Sequence, residues 1–237
     1  MLTIIHSATR RVPIWSVYLL LTVPSVYYFY LSATGMLSVD PIKALEHKLG
    51  EFGLQLIVFG LAITPLRRHL GLNLMRFRRA IGVMTYFYIS VHLLVWLVLD
   101  VQVLSMVWQD IVKRPYITIG MLAFVSMTPL ALSSNNYAVR KLGPLWRRLH
   151  KLVYGIAILG ALHFIMLVKG FQLEPLVYMG LILLFLVLRL KLPKPTFFRS
   201  ILAYVWLRSP DPFPSFKRIL LTRLCPNPSL TGLRRKP

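Results

Sequence analysis

Acidic residues are scarce in this chain: 7 Asp and Glu stand against 28 Lys and Arg in 237 residues, a formal net charge of +21. Charge of either sign is thin, at 15% of residues, where a soluble domain carries roughly a quarter. So few charges cannot clothe a water-facing surface, which excludes a soluble enzyme. Cysteine is nearly absent. The single Cys225 rules out an internal disulfide, a CxxC pair and an iron–sulfur site. No Gly-x-Gly-x-x-Gly phosphate loop occurs, so no fused nucleotide-binding domain is expected. No Ala-x-Ala cleavage site follows Arg10-Arg11, and that pair reads as a cytoplasmic flank rather than a twin-arginine leader.

What is abundant is apolar length. Hydrophobic residues make up 57% of the chain and mean hydropathy is +0.65. Continuous apolar runs at about 14–35, 52–66, 80–99, 116–134, 152–168 and 175–190 predict an all-α, polytopic membrane protein of six transmembrane helices in a bundle. The second run is short, and its helix is expected to begin nearer Ala44. Alternating barrel strands are excluded, because the runs do not alternate.

Orientation follows from Lys and Arg. With the N-terminus inside, twelve basic residues fall in the inner segments before the last span: Arg10, Arg11, Arg67, Arg68, Arg76, Arg78, Arg79, Arg140, Lys141, Arg147, Arg148 and Lys151. Only five, Lys43, Lys48, Lys113, Arg114 and Lys169, fall outside, and the end of the chain adds eleven more to the inside. Both termini are therefore expected in the cytoplasm. The positive charge belongs beside anionic lipid and not to nucleic acid. Three regions result: a cytoplasmic N-terminus (1–13), the helical domain (14–192) and a basic, Pro-rich cytoplasmic tail (193–237) holding eight of the sixteen prolines.

Two of the six histidines, His92 and His163, lie inside apolar spans. His92 is thirteen residues beyond Arg79, and His163 thirteen beyond His150, each counted from its inner helix end. Each imidazole then lies roughly 20 Å from the cytoplasmic side, at one level in the outer half of the bilayer. Two neutral imidazoles at one depth suit a shared heme iron; helix–helix hydrogen bonding and a proton path are the other readings. Zinc would ask for more protein ligands than this depth supplies. His150 stands at the inner membrane edge, about 140° around a straight helix from His163. It is a candidate for a second heme, or for a hydrogen bond to a propionate or headgroup. His47 and His69 read as loop or helix-end residues.

These residues carry a resemblance. Asp40-Pro41 with His47, Ile63-Thr64-Pro65-Leu66-Arg67-Arg68, Arg78-Arg79-Ala80-Ile81-Gly82 leading to His92, Lys113-Arg114-Pro115-Tyr116, Trp146-Arg147-Arg148-Leu149-His150-Lys151 and His163 occur in order over about residues 14–190. The sequence resembles the MsrQ (YedZ) family within the ferric-reductase-like transmembrane group. The resemblance implies heme b, one or two, with His92, His163 and His150 as ligands, and FMN as a second cofactor. It implies a bacterial inner-membrane location and a periplasmic molybdopterin partner (MsrP-like) that reduces methionine sulfoxide. A cytosolic flavin reductase or a membrane quinol would donate electrons. Where that family has His-x-Thr-Gly, this chain reads His47-Lys48-Leu49-Gly50. A stand-alone ferric or oxygen reductase component is the alternative, and it would need a separate flavin-binding reductase.

The charge asymmetry makes a topology prediction. Reporter fusions after residues 45, 107 and 171 should report outside, and fusions after 72, 143 and 195 inside. One inverted pair would show that the spans are miscounted.

Overall fold

A computed structural model describes residues 12–168 and 172–189. The basic tail with Cys225, the N-terminal stretch with His6, Arg10 and Arg11, and Lys169 lie outside the described residues. Among the described residues the only regular structure is helical. Lipid offers backbone groups no partner, so each apolar run satisfies its own amides by coiling.

The helices in chain order are α1 (Ile14–Ala33), α2 (Pro41–His69), α3 (Arg78–Val95), α4 (Leu104–Lys113), α5 (Pro115–Leu132), α6 (Asn136–Leu142), α7 (Pro144–Leu149), α8 (Leu152–Leu167) and α9 (Leu173–Arg189). Five stretches are long and apolar enough to cross a membrane: 14–33, 41–69, 75–101, 115–132 and 144–167. α9 has 17 residues, the lower end of what a bilayer requires, about 17. α2 starts at Pro41, a turn before the sequence suggested, because Asp40 caps it and Pro41 fills the first position, where no amide is needed. The Asp40 carboxylate accepts from the Lys43 amide at 3.3 Å, and that bond holds the carboxyl below its usual pKa range. Pro115 starts α5 in the same way.

Apolar runs revealed the spans but not the short elements between them. α3 runs on as a π-helical segment, Trp96–Val101, that ends on Gln102 at a left-handed φ of 58°. α4 follows as a short amphipathic helix with Met106, Trp108 and Val112 exposed. α8 is separated from α7 by a turn at His150-Lys151, so the straight-helix angle between His150 and His163 does not apply.

α2 is the hub of the bundle. Leu45, Leu49, Leu56 and Ile63 bury one of its faces against Ile81, Met84, Tyr88 and Val95 of α3. Leu54, Ile57 and Leu61 bury another against Met127 and Leu130 of α5, Ile156, Ala157 and Ala161 of α8, and Ile182 of α9. Small residues at 157 and 161 let α8 approach closely, which is how lipid-embedded helices pack without a hydrophobic drive of their own. α1 lies at the rim, with Leu19, Leu20, Val23, Val26 and Tyr30 exposed in a helix apolar on all sides. The fully buried Tyr88 secures it by donating its hydroxyl to the Leu21 carbonyl at 2.6 Å.

One defect in α2 is repaired from α9. Pro65 has no N–H, so it cannot satisfy the Leu61 carbonyl four residues back. Arg189 supplies that donor: its Nη2 and Nε lie 2.7 and 3.1 Å from the Leu61 oxygen, and Nη2 is 3.2 Å from Gly60 O. Its Nη1 reaches the Tyr154 hydroxyl of α8 at 3.2 Å. Three helices meet at one guanidinium. Replacing Arg189 with Met should cost about 2 kcal/mol, the usual penalty for stranding a buried acceptor. Pro65→Ala restores the amide and should remove most of that cost, measured by unfolding the purified protein in mixed micelles. Equal costs in both backgrounds would show that capping Leu61 is not what Arg189 contributes.

Candidate functional site

α3 and α8 carry His92 and His163 to one place, with ring centres 6.5 Å apart and planes at 81°. Each ring is held from behind. His92 Nδ1 lies 2.8 Å from the Glu46 carbonyl in the second turn of α2. His163 Nδ1 lies 2.7 Å from the Tyr116 carbonyl at the start of α5. A carbonyl only accepts, so both Nδ1 atoms carry the proton and both Nε2 atoms keep a free lone pair. That is the tautomer a metal ligand requires.

The two halves of the site use the same device. Four residues after each acceptor carbonyl stands a glycine, Gly50 after Glu46 and Gly120 after Tyr116. A Cβ at Gly50 would lie 3.0 Å from His92 Nδ1, and one at Gly120 2.8 Å from His163 Nδ1. A side chain at 120 would force the His163 ring or its surroundings to shift, and one at 50 would press the His92 ring by a few tenths of an ångström. The acceptor precedes its histidine by 46 residues in one half and 47 in the other. Reading by residue type passes over both glycines. The signal that finds them is this repeated spacing, which becomes visible once the hydrogen bonds are known.

The pair opens into a cavity between α2, α3, α5 and α8. Its deep end is apolar, lined by Leu54, Ile57, Ile89, Phe124, Met127 and Ile156. Among the described residues no three His, Cys, Asp or Glu converge to hold a metal ion. A metal here would need a guest that brings its own remaining ligands, as a flat macrocycle does. The pair suits one. An iron about 2 Å from each Nε2 sets the ring centres roughly 6 Å apart, close to the 6.5 Å between these rings.

The third sequence candidate stands apart. His150 stacks on Trp146 with ring centres 3.8 Å apart. Its Nδ1 lies 3.1 Å from the Trp146 carbonyl and its Nε2 3.5 Å from Ser134 Oγ. The charged side chains that act on it are Arg78 and Arg79, and Arg79 is held by the Asn136 side chain at 2.6 Å. His47, which read as a loop or helix-end residue, lines the cavity. His69 ends α2 away from it.

Comparisons with known proteins show the family. Residues 49–161 match a family described as a ferric reductase like transmembrane component, a stretch that contains Gly50, His92 and Gly120 and ends just before His163. A protein of Brucella anthropi named protein-methionine-sulfoxide reductase heme-binding subunit MsrQ is 45% identical over 181 residues, 76% of this chain and 82% of its own length. Proteins of the same name from Brucella ovis and Brucella suis are 46% identical over 190 residues, 78% of this chain and 86% of theirs. No solved structure matches the chain. With its helical membrane-embedded fold and matches that run through most of its length, the chain belongs to the MsrQ family.

Proposed function

We propose that this protein binds heme b between His92 and His163 and relays electrons across the bacterial inner membrane to a periplasmic molybdopterin methionine sulfoxide reductase. The observation that carries the reading is the imidazole pair, each Nδ1 committed to a carbonyl and each Nε2 free, in an apolar cavity. The relatives' printed name, a heme-binding subunit of a protein-methionine-sulfoxide reductase, supports it. Six spans with both termini in the cytoplasm belong to the same proposal, with α9 as the sixth. A cytosolic flavin reductase or a membrane quinol is the inner donor.

The residues divide the work. His92 and His163 would hold the heme iron through their Nε2 atoms, and Glu46 and Tyr116 fix their tautomer and orientation through backbone carbonyls. Gly50 and Gly120 keep that geometry open. Phe124, Met127 and Ile156 exclude water, which lets the surrounding dipoles set the potential. When bound, the heme supplies one-electron chemistry. On the inner side His150, beside Arg78 and Arg79, is the proposed position of a second cofactor contact. FMN rests on the family resemblance, and no residue is assigned to it. The ferric-reductase-like match favours one second reading, a terminal reductase of iron or oxygen, which the experiment on turnover separates from a relay.

His92→Ala or His163→Ala should abolish the low-spin bis-imidazole spectrum of purified protein, and His69→Ala should leave it intact. Gly120→Ala should shift part of the heme to high spin, and more of it than Gly50→Ala, because its Cβ would lie closer to the ring. A full low-spin complement in His92→Ala would overturn the pairing.

The protein alone should not reduce methionine sulfoxide. In proteoliposomes with donor confined to the inner side, reduced heme should reoxidise only when the periplasmic partner and sulfoxide are both present. His163→Ala should stop that transfer, while an artificial reductant acting on the partner should still drive repair. Stopped-flow absorbance decides the matter: equally fast reoxidation by sulfoxide without partner would make this chain a terminal reductase.

A further inference from the structure

The cavity is polar at one end only. Its charged lining comes from the first turns of α2 (Lys43, Glu46, Glu51), from the end of the π-helical segment (Asp100) and from the residue before α5 (Arg114). Glu51 follows Gly50 and stands level with the imidazole pair; the other four come from helix ends and from the residue before α5, toward the segments that carry few basic residues. The deeper walls on α2, α3, α5 and α8 present Leu54, Ile57, Ile89, Met127 and Ile156. A flat guest with carboxylates on one edge can therefore enter in one sense alone, because an ionised carboxylate in the apolar end would find no partner.

The cations at the mouth are available. Lys43 pairs with Asp40 at 3.2 Å and Arg114 with Asp110 at 3.4 Å, and both cations are more than half exposed. Exposed pairs of this kind hold their partners weakly. The Glu51 carboxylate is already engaged by Lys48 and Gln55, each at 3.0 Å. A guanidinium matches a carboxylate with two parallel donors, and an ammonium serves as a point charge beside it.

We infer that Arg114 and Lys43 form the carboxylate-binding rim of the cavity and orient the guest with its propionates toward the outer face. This rests on the ligation reading proposed above and assigns the residues that set the guest's direction. His47 also lines the cavity.

The test is a cycle with full-length protein purified in detergent after expression without heme. Heme and its dimethyl ester are titrated into the unaltered protein, Arg114→Gln, Lys43→Gln and the double variant, and uptake is followed in the Soret band. Comparing the ratio of affinities across variants cancels the ester's greater partition into micelles. The unaltered protein should prefer heme, and loss of both cations should reduce that preference by about tenfold or more, the worth of a charge-assisted hydrogen bond. Arg114→Lys should restore part of it. An unchanged preference in the double variant, with a low-spin spectrum still formed, overturns the rim assignment and leaves the ligand pair standing. Absence of a low-spin spectrum with either compound in the unaltered protein removes the pair and this inference with it.

Discussion

An imidazole inside a lipid-embedded bundle has two polar nitrogens and no water to satisfy either. Leaving one of them unpaired costs several kcal/mol. In this protein the Nδ1–H of His92 goes to Glu46 O and that of His163 to Tyr116 O. Those two bonds decide the tautomer, the rotamer and the direction of each Nε2. The acceptors are backbone carbonyls near the starts of α2 and α5, so the pairing of α3 with α2 and of α8 with α5 positions the site. A carbonyl has two lone pairs, and a helical one can accept from a side chain as well as from its own turn. Glycine four residues on removes the Cβ that would block the approach.

The bundle is arranged to keep those carbonyls in place. α2 contacts both halves, through Leu45, Leu49 and Leu56 on one side and Leu54, Ile57 and Leu61 on the other. A hub helix must not bend unpredictably, yet α2 contains Pro65. Arg189 resolves the conflict by taking over the Leu61 carbonyl, and in doing so it secures α9 against α2. Arg68 adds a reciprocal bond to Leu188 O at 3.1 Å. Arginine suits this position better than lysine because its planar fork reaches two carbonyls and a hydroxyl at once.

Much of this was legible in the sequence for a physical reason: lipid imposes length and apolarity on every span, and both are visible without coordinates. The depth match of His92 and His163 was legible too, since helical rise converts residue number into height. What stayed hidden had no residue-type signature. A backbone acceptor such as Glu46 O or Tyr116 O could belong to any residue. Arg189 read as one more inner cation, because its role depends on the amide that Pro65 lacks. α4 escaped notice because ten amphipathic residues make no apolar run. His150 and His163 seemed to share one straight helix, since nothing in Leu149-His150-Lys151-Leu152 announces the turn that separates α7 from α8.

The same geometry gives the site a direction. Neutral imidazoles add no charge to the cavity, and rings locked by hydrogen bonds have little freedom to rearrange. Apolar walls at the deep end keep water from doing the rearranging instead. Charge gathers toward the rim, whose lining includes Arg114, Lys43, Glu46 and Asp100. The approach to α8 is different in kind, with His150 stacked on Trp146 and within the electrostatic reach of Arg78 and Arg79. His163 lies thirteen residues beyond His150 along helix and turn, roughly 20 Å of rise. In the proposed relay a donor on the inner side would face a basic surface, and an acceptor on the outer side would face the mouth that opens onto the imidazole pair. On the relay proposed above, a membrane subunit whose ligand pair is displaced toward one face would deliver to that face, and the bond-breaking chemistry would belong to whatever docks there.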